Sequence, residues 1–253
     1  DELAKWQSPH IPILTTRQLE LSLLEIQRRH KRQRQNEESS SSTDSSTKNE
    51  AAVLVPLCTV DGTPSILFTR RSSQLSSHAS QISFPGGYYD EKLDSTLVDA
   101  ALRECQEELQ YDIDQLGRNK ELPFITILGQ TQPVPSMIGK KVTPIIGTIN
   151  CDLPHYTTPA FIKLFPGNPE EVDWIFTIPI RDLIQTETSE PLQRWGTSYS
   201  DKDEEGISAK WSKRKNWGPV FPIPEGYKKK ENDKIWGLTA IVLRPLLKRV
   251  FGP

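Results

Sequence analysis

The alternation of apolar and polar positions changes character along the chain. In residues 15–32, TTRQLELSLLEIQRRHKR, Leu19, Leu21, Leu23, Leu24 and Ile26 sit among charged residues behind Thr15 or Thr16, which predicts a capped helix. Residues 33–50 hold no large apolar side chain and a run of serines. Burial there cannot offset the entropy of ordering the chain, so 1–50 reads as a helix followed by a disordered linker. From 51 the pattern tightens. AAVLVPLCTV (51–60) and SILFTRR (65–71) read as strands about an Asp61-Gly62-Thr63-Pro64 turn, and QISFPGG (81–87) as a short strand ending on Pro-Gly-Gly.

TLVDAALRECQEELQ (96–110) has helical spacing with Ser95 or Thr96 at its cap. Residues 122–131 and 143–150 are strand candidates, 169–184 a strand and then a short helix, and 234–250 a strand leading into the last helix. Residues 185–218 are polar, yet they contain Trp195, Trp211 and Trp217. Disordered segments are poor in tryptophan, so an irregular insertion, hairpin-like in part, is expected within a domain spanning 51–253. Strands and helices that follow no regular βαβ order predict an α/β sandwich on a mixed sheet, or an α+β fold.

Composition narrows the function. The 253 residues carry a formal charge of -2, which gives no bulk attraction to nucleic acid or anionic membrane. No apolar run reaches the roughly 18 residues of a membrane span. Cys58, Cys105 and Cys151 are dispersed in apolar stretches, with neither disulfide-framework nor zinc spacing. They read as packing residues in a reducing compartment. A small-molecule substrate is the expected partner.

The chemistry concentrates in ALRECQEEL (101–109). On a helix, Glu104, Glu107 and Glu108 fall at i, i+3 and i+4 and share one face. Like charges so placed repel by a few tenths of a kcal/mol per pair, roughly. A hard divalent cation reverses that balance, because Mg²⁺ or Mn²⁺ takes oxygen ligands and leaves room for water and phosphate. Just before the helix, FPGGYYDEKLD (84–94) places Gly86 and Gly87, which permit close backbone approach, ahead of Asp90, Glu91 and Asp94.

This order resembles the Nudix box, G-x(5)-E-x(7)-R-E-U-x-E-E-x-G-U, through Gly87, Arg103, Glu104, Glu107 and Glu108, with Cys105 at an aliphatic position. The loop is two residues longer than the family spacing; the loop glutamate falls at Ser95, beside Asp94, and the late glycine is Gln110. LFTRRSSQLSSHASQISFPGGYYD (67–90) is similar to the signature of the coenzyme A diphosphatases in that family. Thr69, Ser72, Leu75, Phe84, Pro85, Gly86, Gly87 and Asp90 agree, while Ser76 replaces an arginine and Ser80 a glycine.

The resemblance implies a Nudix-type α/β/α sandwich. It implies Mg²⁺ or Mn²⁺ held by Glu104, Glu107 and Glu108, and Arg103 orienting a glutamate. It also implies cleavage of coenzyme A or its derivatives to 3′,5′-ADP and 4′-phosphopantetheine. Substrate contacts would come from Arg70 or Arg71, in place of the missing arginine, and from His78, Gly86 and Gly87. Lys140 and Lys141 are candidates for a 3′-phosphate, and Glu170 or Glu171 for the general base. Trp174, Phe176 and Trp236 read as core. Other nucleoside diphosphate derivatives, such as oxidised nucleotides or ADP-ribose, and a non-catalytic Nudix scaffold remain the alternatives. The family implies a monomer or homodimer, and a peroxisomal location by resemblance, or otherwise cytosol or mitochondria.

Overall fold

The computed structural model describes residues 50–111, 123–136, 139–191, 217–227, 231 and 233–248. The expected helix at 15–32 and the serine linker up to residue 49 lie outside them, as do Trp195 and Trp211.

β1 (Glu50–Val60) and β2 (Thr63–Arg71) form an antiparallel hairpin. Its turn is tighter than the sequence predicts. Asp61 and Gly62 both have positive φ, 47° and 74°, as a two-residue type I′ turn requires, and Thr63 and Pro64 already belong to β2. The Asp152 carboxylate accepts from the Gly62 N–H at 2.9 Å. The hairpin then forks. β1 and β2 pair only from Leu57/Ile66 to the turn. Into the gap comes the predicted 81–87 strand, split in two: β3 (Ile82–Ser83) pairs with β2, and β4 (Gly86–Tyr88) pairs with β1.

Around the fork the sheet is mixed. β5 (Ile125–Gln130) and β6 (Val134–Pro135) line one edge of β7 (Lys141–Leu153), whose other edge runs parallel to β1. β8 (Val172–Pro179) closes the far side of β2. Strands covered on both faces need apolar residues at successive positions. Leu54, Val55, Leu57, Ile66, Leu67, Phe68, Ile145 and Ile146 are accordingly buried.

One face carries α1 (Leu97–Leu109). Thr96 caps it, its Oγ1 accepting from the Asp99 N–H at 3.2 Å, and Ala101, Cys105 and Leu109 are buried. Short helices α2 (Pro159–Leu164) and α3 (Ile180–Thr186) flank β8 in sequence. On the other face of the sheet lies the C-terminal layer. β9 (Thr188–Pro191), β10 (Trp217–Pro222) and β11 (Lys234–Ile235) form a small antiparallel sheet, followed by α4 (Gly237–Leu246). The ends of the 185–218 insertion are thus held as an antiparallel pair. The architecture is a mixed sheet with helices, of the α/β class expected.

Two departures from the family glycines have a common geometry. Gln110 caps α1 in the left-handed region, at φ 51° and ψ 35°, and Ser80 has φ 61° in the loop from β2 to β3. Each is a non-glycine residue where glycine is unstrained. Gln110→Gly and Ser80→Gly should each raise stability by up to about 1 kcal/mol. The relief of left-handed strain, roughly 1–2 kcal/mol, outweighs the extra chain entropy of glycine, roughly 0.5–1 kcal/mol. Urea denaturation tests this, and a lower midpoint in both variants would contradict the assignment.

Candidate active site

α1 presents its three glutamates on one face, but at graded depths. The Glu107 side chain is 48% exposed, that of Glu104 19%, and Glu108 is buried at 4%. Spacing alone showed the shared face. The depth of Glu108 follows from its place between Cys105 and Leu109, on the margin of the apolar side.

The strand fork receives Glu108. Thr69 Oγ1 donates to one carboxylate oxygen at 3.3 Å, and the Gly86 N–H approaches the other at 3.4 Å. Gly86 has φ 150°, and a Cβ there would strike the backbone at Ala52 and Val53. Only glycine lets β4 lie this close to β1. Leu54 N–H donates to Pro85 O at 2.8 Å and fixes the approach. At Gly87 the constraint is different. The space that its side chain would fill is taken by the Glu104 carboxylate.

Arg103 ties the acidic loop to the helix. Its Nε and Nη2 grip Asp94 in a two-point pair at 2.9 Å each. Nη1 donates to Glu104 at 3.0 Å and to Glu107 at 3.2 Å, and Nη2 also donates to the Tyr88 carbonyl at 3.0 Å. Asp94 is buried, and its hydrogen bonds from Arg103 hold it below the usual carboxylate range. The loop carboxylate nearest the family position thus serves to anchor Arg103.

Electrostatics separates the glutamates. Burial pushes Glu108 up to about 7, against the Gly86 hydrogen bond and the Arg71 charge, with Glu171 and Glu104 adding to the rise. Burial also raises Glu104, more than Arg103 lowers it. Glu171 acts on both, so this loop residue belongs to the same acidic face. Its loop is docked on the helix end: Asn168 N–H donates to Glu108 O at 2.9 Å, and Gly167 N–H to Leu109 O at 3.1 Å. Glu170 is exposed on that loop.

The two arginines of β2 part company. Side chains alternate across a strand, so Thr69 and Arg71 share the face of Glu108 while Arg70 takes the other. Arg70 is 2% exposed and pairs with Asp233 at 2.9 Å in the C-terminal layer, so the expectation that it contacts phosphate gives way. The half-buried Arg71 leaves its buried Nε without a hydrogen-bond partner. Among the described residues its side chain makes no ion pair. A cation held beside carboxylates yet unpaired suits an incoming anion. His78 is exposed and contacts Gln81 at 3.1 Å, and Ser76 is also exposed. Phe176 is buried and stacks on the half-buried Trp174 at 4.2 Å, as core residues. Neither the Thr69–Glu108 contact nor Asp94 as Arg103's partner is signalled by any local pattern, since both join residues from separate elements.

A family model described as the NUDIX domain matches residues 48–194, more than half of the chain. A protein of Yersinia pestis (strain Pestoides F), described as an uncharacterized Nudix hydrolase NudL, is 33% identical over 207 residues. The match covers 81% of this chain and 82% of that one. The NudL protein of Yersinia pseudotuberculosis serotype O:1b (strain IP 31758) gives the same figures, 33% over 207 residues. Among solved structures, a MutT/nudix family protein from Enterococcus faecalis aligns over 90% of this chain and 74% of its own. Its identity is 13% and its TM-score 0.42. The chain belongs to the Nudix hydrolase family, whose members split diphosphate bonds in small molecules and generally use divalent ions such as Mg²⁺ or Mn²⁺.

The residues fit such an ion. Glu104 and Glu108 offer hard oxygen donors, Glu104 held by Arg103 and Glu108 with no counterion in contact, while the more exposed Glu107 meets Arg103 at the rim. Among the described residues no three acidic side chains converge into a cage by themselves. Mg²⁺ characteristically completes its shell with water and substrate oxygens.

Gly87→Ala should therefore expel the Glu104 carboxylate while leaving β4 paired. Titration calorimetry with Mn²⁺ should show affinity weakened about tenfold or more, with a melting temperature within a few degrees of wild type. Unchanged affinity would show that Glu104 is not a ligand. In metal-free protein, Glu108 titrates higher folded than unfolded, at about 7 against 4.5. The folded state then holds the extra proton between those values, so stability is full below 4.5 and falls as pH rises through 7. Denaturation of metal-free protein across that window should show this slope, flattened in Glu108→Gln. Identical slopes in the two proteins would contradict it.

Proposed function

We propose that this Nudix hydrolase cleaves the diphosphate of coenzyme A or its derivatives, yielding 3′,5′-ADP and the (acyl-)4′-phosphopantetheine. One observation supports the reading above others. Three residues shared with the coenzyme A diphosphatase signature, Thr69, Gly86 and Gly87, shape the acidic face. Thr69 and Gly86 hold Glu108, Gly87 makes room for Glu104, and Phe84, just ahead of the glycines, is fixed in the core by stacking on Phe68 at 5.2 Å.

In the reaction a water oxygen bonds to phosphorus as the bridging P–O bond breaks, and the two phosphates separate. A divalent ion, when bound, neutralises charge on the diphosphate and makes water more acidic. Glu104 and Glu108 are the residues to hold it, with Glu107 as a third. Arg103 keeps Glu104 in place, and Arg71 meets the non-bridging oxygens as a charge-assisted donor. Glu171, on a loop fixed to the helix end, is the candidate to take the proton from water.

Ser76 favours a second reading. It lies exposed where the signature has an arginine, so the substrate's anionic groups meet no cation at that position. Hydrolysis of another nucleoside diphosphate derivative, such as ADP-ribose or an oxidised nucleotide, would then dominate.

Purified protein with Mg²⁺ or Mn²⁺ and coenzyme A should release 3′,5′-ADP, followed by ion-exchange chromatography. Glu108→Gln should reduce kcat about a hundredfold or more, equivalent to ~2.7 kcal/mol in the barrier. Arg71→Ala should act mainly on KM. If coenzyme A ranks below ADP-ribose and oxidised nucleotides in kcat/KM, the second reading replaces the first. Turnover of none of them under either metal would leave a scaffold.

A further inference from the structure

β4 ends on Tyr88, whose backbone and ring face different partners. Its carbonyl accepts from Arg103, the residue that also holds Glu104 and Glu107. The ring is 53% exposed. Gly87 faces α1, so by strand alternation the Tyr88 ring leaves on the opposite side of β4, at its very end. There Lys140, just ahead of β7, places its Nζ 3.8 Å from the ring centroid. β1 lies between the two, pairing with both β4 and β7, so three strands fix the arrangement.

The arrangement leaves two things unused. More than half of Tyr88 stays exposed with Lys140 over its ring, which leaves aromatic surface for stacking and an ammonium beside it that makes no ion pair among the described residues. A base on that surface and a phosphate on the same nucleoside's ribose would satisfy both. The Tyr88 carbonyl and the Glu104 carboxylate share the Arg103 guanidinium, and the ring leaves where β4 ends, so a substrate that passes round that end can set its diphosphate at the carboxylates and its nucleoside at the ring.

We propose that Tyr88 and Lys140 form a nucleoside subsite, with Tyr88 stacking the base and Lys140 pairing with a phosphate carried on the ribose. The subsite deepens the coenzyme A reading and rests on it for its substrate, since the ribose 3′-phosphate is what separates coenzyme A from its dephospho form. It makes Lys140 a specificity-determining residue that works by point charge, and Tyr88 one that works by contact area.

Two measurements keep the subsite and the reading apart. In the first, calorimetry compares 3′,5′-ADP with 5′-AMP on metal-free protein. Wild type should bind 3′,5′-ADP about tenfold tighter, the factor of one well-placed charge contact. Lys140→Ala should abolish the preference, Lys140→Arg should keep it, and Tyr88→Ala should weaken both ligands. Equal binding of the two nucleotides by wild type, or a preference that survives Lys140→Ala, overturns the subsite whatever the turnover. In the second, kinetics compares coenzyme A with dephospho-coenzyme A. Lys140→Ala should raise KM for coenzyme A alone, with kcat preserved. If wild type hydrolyses neither compound yet shows the nucleotide preference, the coenzyme A reading fails and the subsite stands.

Discussion

Three carboxylates on one helical turn repel one another, and that repulsion organises the surroundings of α1. Each glutamate is restrained differently. Glu107 and Glu104 share the guanidinium of Arg103, which Asp94 in turn grips at two points. Glu108 has no such counterion in contact. It is held by the Thr69 hydroxyl and the Gly86 amide inside the strand fork, and burial keeps its proton near neutrality. The long loop, the split strand and the glycine pair all follow from the need to bring these groups to one helix face. The arrangement is costly without a cation, because a buried carboxyl with so few donors is poorly solvated. A divalent ion of the kind the family generally uses would remove that cost if bound between Glu104 and Glu108.

Much of this was legible in the sequence, and for identifiable reasons. Helical spacing placed the glutamates together, and alternating apolar runs located β1, β2, β7 and β8 to within a few residues. Those signals are local. The split of 81–87 into β3 and β4 was not legible, because it depends on β1 and β2 parting, and nothing in either strand's own pattern announces that. The same limit applies to Arg70 and Arg71. Adjacent in sequence, they were equivalent candidates until strand alternation sent one to Asp233 and the other toward Glu108. α2 was missed because its six residues are too short to show a helical period.

Gln110 and Ser80 stand where the family pattern has glycine, yet the backbone keeps positive φ at both. At Gln110 the reason is the loop between α2 and β8: Gly167 and Asn168 donate to the last carbonyls of α1, so the helix must end there for Glu171 to reach the acidic face. Tertiary contacts outweigh a local preference of about 1–2 kcal/mol.

The ion pair between Arg70 and Asp233 carries a consequence for how the molecule is made. The two residues are 163 positions apart. While the chain emerges from the ribosome, β2 exists long before its buried arginine has a partner. An arginine sealed in apolar surroundings without its carboxylate costs about 3–5 kcal/mol, so the sheet cannot close over that face early. The strand that carries Thr69 and Arg71 therefore reaches its final setting only once Asp233 has been synthesised and docked. A nascent chain arrested upstream of that point would expose the Arg70 face of the sheet, opposite the acidic face, to the chaperones and proteases of the cell.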